Sequence, residues 1–244
     1  MPHNASLEPK RHAFSNRIGQ VPLTKFKDYR STIKVTLKEP ESQESMMNRI
    51  YAFAKATWAD SPEELENATM EQKEDALQQM LSGKALQLAL ETVNLTFMIS
   101  GISHIDAQQI TRQRIGVTFS AQCTGDRFLT HNDILVEECI AQDPELLEDY
   151  IQKTLGTKES YSKLVDSLKV SIQAAREILP RNIETFYNMN TNLATLLFFH
   201  QKRIDDGSQT WQLNVIAQQM ADEVCNAYPQ LQPVFEKNKR RFTF

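Results

Sequence analysis

A helix-rich α+β fold with a small β-sheet is what this sequence predicts. Three observations carry the prediction: several apolar runs at helical spacing, few segments with the period-2 alternation of a strand, and repeated helix-start signals of a cap residue, proline and acids. With 244 residues, 41% of them apolar and 24% charged, the chain is long enough to bury a core without disulfide or metal support. No internal repeat or low-complexity segment divides it. The expected organisation is an N-terminal arm over residues 1–30 and a single domain over 31–244.

The arm carries Lys10, Arg11, Arg17, Lys25, Lys27 and Arg30 against Glu8 and Asp28, with few periodic apolar positions, and reads as a mobile terminus. Residues 33–37 alternate as a half-buried strand, and Pro40 and Ser42 make the turn after it. Met46, Met47, Ile50, Phe53 and Ala54 then follow helical spacing as far as Trp58. Ser61, Pro62, Glu63 and Glu64 start a helix expected to run to Leu81 and to stop at Gly83. A charge-poor helix is expected from about Ala85 to Ser100, buried in a core or an interface. Residues 110–128 read as irregular. Asp143, Pro144 and Glu145 start another helix, ended by Gly156. The positions Tyr161, Leu164, Val165, Leu168, Ile172 and Ala175 are again helical, stopping before Pro180. A long helix from about Asn182 to Arg203 and a last one from about Thr210 to Tyr228 complete the expectation.

The net charge of −4 argues against a general nucleic-acid binder, so an anionic ligand must meet a local basic cluster. Cys123, Cys139 and Cys225 are odd in number and form no CxxC pair, which indicates neither a zinc site nor a disulfide framework. His104, His131 and His200 lack zinc-ligand spacing, so no metal is expected, and Trp211 reads as core. A reducing cytosol fits these features. No segment approaches the apolar length of a membrane span, and the expectation is a cytoplasmic protein with no membrane partner.

The most unusual segment runs from Gln108 to Arg127 and concentrates Arg112, Arg114 and Arg127 among hydroxyl, amide and glycine neighbours. Arginine's planar fork suits phosphate, and glycines let backbone N–H groups approach an anion. Two readings stand side by side here: a phosphate pocket, or a solvated turn whose arginines pair with the acids of the following helices. Further on, Asn192 and Arg203 are eleven residues apart, which in one helix returns them to nearly the same face. Arg203 also suits a helix C-terminus, ahead of Asp205 and Asp206. Arg176, four residues before Pro180, reads equally as a surface charge.

Phe97 to Ser103, followed by Gln109 and the run Arg112, Gln113, Arg114, resembles the signature of the flavin-dependent thymidylate synthases, in which an apolar helix leads through a glutamine into Arg-His-Arg. Ser120, Gln122 and Arg127 are similar to the rest of that signature. Arg176, Leu179, Pro180, Asn192 and Arg203 resemble a second, ordered set of family landmarks. The resemblance covers residues 33 to about 230. It implies an α+β domain of that family's fold, built as a homotetramer with active sites shared between subunits. It also implies C5-methylation of a uridine monophosphate, either dUMP to dTMP or UMP to 5-methyl-UMP, with FAD as cofactor and methylenetetrahydrofolate and NADPH as co-substrates.

By the same resemblance Glu91, Arg112, Gln113, Arg114, Ile115, Ser120 and Asn192 hold the flavin. Gln109, Arg112, Gln122, Cys123, Thr124, Gly125, Arg127 and Arg176 surround the nucleotide, and Arg203 holds the pyrimidine ring as the catalytic residue. The family uses no cysteine nucleophile. This chain departs from it at Gln113, where the family has histidine, and at Ala194 and Phe198, where it often has flavin-contacting Arg and Asn. The stretch between Arg114 and Arg127 is longer than usual, which leaves Cys123, Thr124 and Gly125 competing for the place of a family serine. A different class of reading is a relative that keeps the fold and has lost the chemistry; the clustered arginines argue against it.

Overall fold

The alternation of Leu95, Phe97 and Ile99 with Thr96, Met98 and Ser100 dictates the centre of the molecule: a strand, with one row of side chains in the core and the other on an open face. The computed structural model describes residues 26–28, 32–85, 87–125, 127–204 and 210–238. The strands are β1 (Phe26–Asp28), β2 (Lys34–Lys38), β3 (Asn94–Ser103), β4 (Val117–Ala121), β5 (Ile134–Val136) and β6 (Glu184–Asn192). The helices are α1 (Gln43–Lys55), α2 (Pro62–Glu66), α3 (Met70–Leu81), α4 (His104–Ile110), α5 (Glu138–Ala141), α6 (Pro144–Asp166), α7 (Ile172–Ala175), α8 (Leu193–Ile204), α9 (Trp211–Ala227) and α10 (Gln232–Asn238). A 3-10 turn, Gln87–Thr92, precedes β3, and the order β2-β3-β6-β4 makes an antiparallel four-stranded sheet. β1 and β5 pair in parallel beside it, with Phe26 opposite Ile134.

Helices α1, α3, α8 and α9 cover one face of the sheet through Met46, Met47, Ile50, Leu77, Met80, Leu196, Phe199, Ile216 and Met220, all buried. The edge strand β2 is satisfied in an uncommon way. Gln219 Oε1 accepts from Val35 N–H at 2.9 Å, Gln219 Nε2 donates to the Ile33 carbonyl at 3.1 Å, and Glu223 Oε2 accepts from Leu37 N–H at 2.8 Å. Polar side chains of α9 thus take the place of a neighbouring strand and blunt the edge. The other sheet face is polar. Thr118 and Ser120 of β4, Phe186, Asn188 and Asn190 of β6, and Lys34 and Lys38 of β2 are exposed or half-exposed there.

The strand over 33–37, the turn and the helix over 210–228 form as the sequence predicts, within a residue; the first helix ends at Lys55, short of Trp58, and α10 follows the helix expected to be the last. Five expectations do not hold. Residues 117–121, within the stretch 110–128 read as irregular, form β4 against β6. The charge-poor segment 85–100 is the 3-10 turn and then β3, because a continuous apolar run in a central strand has the composition of a buried helix and only its alternation distinguishes it. The expected helix from Asn182 to Arg203 is β6 followed by α8: Thr185, Tyr187, Met189 and Thr191 are buried in period 2, and the asparagines between them favour helix poorly. Asn192 and Arg203 therefore do not share a helical face. The helix expected over 61–81 is broken into α2 and α3, where Thr69 forms a capping box with Gln72.

Gly156, lastly, does not end its helix; α6 runs through it for 23 residues, and the break comes at Leu168, which has φ 57°. Of the N-terminal arm only Phe26–Asp28 is described, as a strand, and residues 1–25 lie outside the described residues. Among the described residues no helix is long and apolar enough to cross a membrane.

Two glycines predict opposite effects on stability. Gly101 sits at a bulge of β3 with φ +69°, and a Cβ there would lie 1.8 Å from the backbone oxygen of Thr32. Gly156 has open space around it in a helix interior. Gly101→Ala is expected to cost at least about 2 kcal/mol from left-handed strain and overpacking. Gly156→Ala is expected to add up to about 1 kcal/mol. Urea unfolding midpoints of the two variants check both signs.

Candidate functional site

Where β6 turns into α8, the chain direction changes within one residue, and the Asn192 side chain makes that possible. Its Oδ1 accepts from Thr195 N–H at 2.8 Å as a helix cap, while its backbone N–H reaches the Gly116 carbonyl at 3.4 Å. Gly116 has φ +69°, and a Cβ there would fall 2.1 Å from Thr195 Oγ1. Only glycine lets the loop after α4 seat against this junction. The loop presents Arg112 and Arg114 to solvent, and Ile115, which follows them, is 83% exposed. The Gln113 amide donates to the Ile115 carbonyl at 3.4 Å. Glu91 is exposed on the 3-10 turn at the same end, where Leu193 N–H donates to the Val93 carbonyl at 2.9 Å. Ser120 pairs with Asn188 and lies on the open sheet face.

The second group gathers at the N-terminal end of β6. Gln122 N–H donates to the Phe186 carbonyl at 3.0 Å, and Gln122 Oε1 accepts from Asn132 Nδ2 at 3.3 Å and Thr185 Oγ1 at 3.4 Å. Cys123 is exposed, Thr124 half-buried and Gly125 buried. A Cβ on Gly125 would lie 2.9 Å from Arg176 Nη1, so the loop backbone rests on that guanidinium. Arg127 is exposed, and its carbonyl accepts from Tyr161 OH at 3.4 Å. Burial holds the His104 imidazole below its usual pKa, and the charges of Arg181 and Arg176 push it the same way. This corner is cationic.

Gln109, near the end of α4, accepts from Arg112 Nη1 at 3.3 Å. Arg203 lies at the far end of α8, half-buried, with its guanidinium carbon 5.4 Å from the centre of the Phe199 ring. Asp205 and Asp206 are outside the described residues. Six residue steps along β6, from Phe186 to Asn192, separate the two groups by about 20 Å. One subunit therefore does not bring the predicted residues into one cavity. The ion pairs among the described residues join Arg49 to Glu41 and Lys153 to Asp149; Arg112, Arg114, Arg127 and Arg176 pair with no described carboxylate. That removes the reading of a turn whose arginines serve the following helices, and leaves four guanidinium groups facing water.

Two concavities, of about 410 and 310 Å³, are lined by other residues. The smaller holds Asp106, Glu137, Tyr150, Arg181 and Asn182. Asp106 closes the cap of α4: Ser103 Oγ accepts from its N–H at 3.2 Å and donates to its carboxylate. Burial pushes the Asp106 carboxyl up to about 7, the Ser103 contact lowers it and nearby Glu137 raises it further. Glu137 in turn accepts from Trp211 Nε1 at 2.9 Å and from Gln212. Sequence reasoning missed Arg181, Asn132 and Asp106. Arg181 directly follows Pro180 and carries no motif, and the other two look like ordinary polar positions until the fold gives Asn132 its contacts to Gln122 and Glu184 and buries Asp106 beside the smaller concavity.

A model of the family described as thymidylate synthase complementing protein (Thy1) matches residues 41–230. No curated protein matches the sequence. Among solved structures, the UMP/dUMP methylase PolB from Streptomyces cacaoi, bound with 5-Br dUMP, superposes with a TM-score of 0.68 at 14% identity, over 84% of this chain and 95% of that one. Its complex with 5-Br UMP gives 0.68 at 13% identity, over 90% and 99%. Thymidylate Synthase X (ThyX) from Helicobacter pylori, with FAD and dUMP, gives 0.62 at 15% identity, over 86% and 100%. At these identities the likeness is one of fold.

Asp106 supplies a prediction with a defined sign. Its carboxyl is held near 7 in the folded chain against an ordinary 3.8, so the folded state binds the proton more tightly. The associated stability is present below about pH 4 and is lost as pH rises through about 7. Asp106→Asn is therefore expected to gain stability relative to the native chain between pH 4 and 7.5. Paired urea titrations across that range would show instead a constant difference if burial did not hold the proton.

Proposed function

This chain belongs to the Thy1 family of thymidylate synthase enzymes, and from that membership and its arginine framework we propose that it methylates a uridine monophosphate at C5, using FAD. The methyl donor is methylenetetrahydrofolate and the reductant NADPH. The observation that carries the reading is the set of guanidinium groups without carboxylate partners, placed at both ends of one polar sheet face. Clustered exposed cations cost stability through mutual repulsion, and an anionic ligand offsets that cost.

Residue by residue, Arg127 and Arg176, with Gln122, Cys123, Thr124 and Gly125, take the nucleotide phosphate and sugar, and Gln109 and Arg112 reach toward the same ligand. Arg203 stabilises the negative charge that develops on the uracil carbonyl as C5 becomes nucleophilic. The junction at Asn192 fits a flavin: Gly116 leaves backbone accessible, Arg112 and Arg114 match a pyrophosphate, exposed Ile115 matches an apolar ring, and Glu91, Gln113 and Ser120 complete the set. When bound, the flavin supplies the redox chemistry that accompanies transfer of the folate-borne methylene. No cysteine takes part as nucleophile. Burial pushes the Cys225 thiol up to about 11, with Asp222 and Glu236 adding to the shift, which opposes the thiolate such a role requires.

Because the two groups lie about 20 Å apart along β6, the active site is assembled between subunits. The proposed assembly is a homotetramer, with the polar sheet face toward a neighbouring copy. Gln113, Ala194 and Phe198, where the family carries other residues, favour one second reading: a relative that binds ligands without turnover.

Purified protein with flavin absorbance, releasing tritium from C5-labelled dUMP or UMP in the presence of the folate and NADPH, is the expected result; the preferred nucleotide names the substrate. Release from neither, with flavin bound, rejects methylation and favours the second reading. Arg203→Ala is expected to lower turnover by about a hundredfold or more with the fold intact. Unchanged turnover would contradict its role.

A further inference from the structure

The loop from Gln122 to Asn132, which overlaps the end of the longer stretch before Arg127, is held at two points by one face of α6. Lys158 and Tyr161, one turn apart on that helix, are 5% and 0% exposed. Lys158 Nζ donates to the Asn132 carbonyl at 2.7 Å. Asn132 Nδ2 then donates to Gln122 Oε1 at 3.3 Å and to the Glu184 carbonyl at 2.8 Å, tying the loop to the start of β6. In the middle of the loop Tyr161 OH donates to the Arg127 carbonyl at 3.4 Å. Gly125, two residues earlier, lies on Arg176.

A buried ammonium opposes stability, and an apolar side chain of the same length would pack there without that cost. Burial pushes the Lys158 pKa down to about 8, with Asp133 acting against the shift. Among its contacts the ammonium holds Asn132, and through Asn132 the Gln122 carboxamide. Gln122 Oε1 is occupied by Asn132 and Thr185, which leaves its NH2 directed by the same contacts.

We propose that Lys158 is a positioning residue for nucleotide binding: through Asn132, and together with Tyr161, it fixes the loop that presents Gln122, Gly125 and Arg127 to the phosphate and sugar. The proposal rests on the nucleotide reading above. It acts on a binding loop remote from the Asn192 junction and from Arg203, so its loss weakens nucleotide binding and spares both the flavin and the chemical step.

The test uses the full-length protein with Lys158→Met, and Tyr161→Phe as a second variant that keeps the ring in place. Circular dichroism and flavin content are expected to match the native chain. Amide exchange in peptides spanning 122–132 is expected to rise, and the KM for dUMP or UMP to rise about tenfold in Lys158→Met with kcat within about twofold. Native exchange and native KM in folded Lys158→Met would overturn the proposal. So would a parallel fall of kcat and flavin content, which is the signature of a merely structural lysine. Should Lys158→Met not fold, Tyr161→Phe decides: a raised KM with faster loop exchange supports the proposal, and native values for both overturn it. A native protein that binds neither nucleotide rejects the functional reading and the positioning role together, whereas normal nucleotide binding in Lys158→Met rejects the positioning role alone.

Discussion

The site depends on one asparagine. Asn192 ends the strand beside β3 and β4 and caps the helix that carries Arg203, and its backbone N–H receives the loop that carries Arg112 and Arg114. An N-cap contributes about 1 kcal/mol, a modest amount for stability. Its geometric effect is larger, since strand, helix and arginine loop all take their positions from the same residue. Gly116 is the complementary requirement, because any Cβ there meets Thr195 and lifts the loop off the junction.

The other end of β6 is built on a different principle. No helix cap fixes the loop from Gln122 to Asn132. Lys158 and Tyr161 of α6 hold its backbone instead, Arg176 just after α7 lies against Gly125, and Thr185 of β6 holds the Gln122 side chain. A loop anchored from several elements tolerates extra length, since lengthening an already closed loop costs little entropy. This accounts for how a stretch longer than the family's usual one still brings Arg127 and Gly125 to the cationic corner.

Legibility in the sequence followed from how local each determinant is. Strand β2, helix α1 and helix α9 depend on short-range pattern and capping, and were readable. Strands β3 and β6 were hidden because a central strand with apolar or asparagine-rich neighbours matches helix composition, and only pairing partners far along the chain separate the two. The same ambiguity extends to the site: helical spacing puts Asn192 and Arg203 on one face, whereas the structure puts a strand end at one and a helix end at the other. The arginines themselves were legible as a cluster because their residue type and density are unusual. Asn132 and Lys158 were not, since their significance arises from contacts across 10, 26 and 52 positions of sequence that no local spacing encodes.

Under the proposed sharing of the site between subunits, neither residue group at the opposite ends of β6 suffices within one copy. The most direct measurement is complementation between Arg114→Ala, altered at the Asn192 end, and Arg176→Ala, altered at the other. Each variant alone is expected to be nearly inactive in tritium release from C5-labelled nucleotide. Mixed and reassembled, they are expected to regain activity well above either parent, because some sites then draw an intact end from each of two copies. Mixtures that exchange subunits and still show only the parental activities would contradict a site shared between subunits.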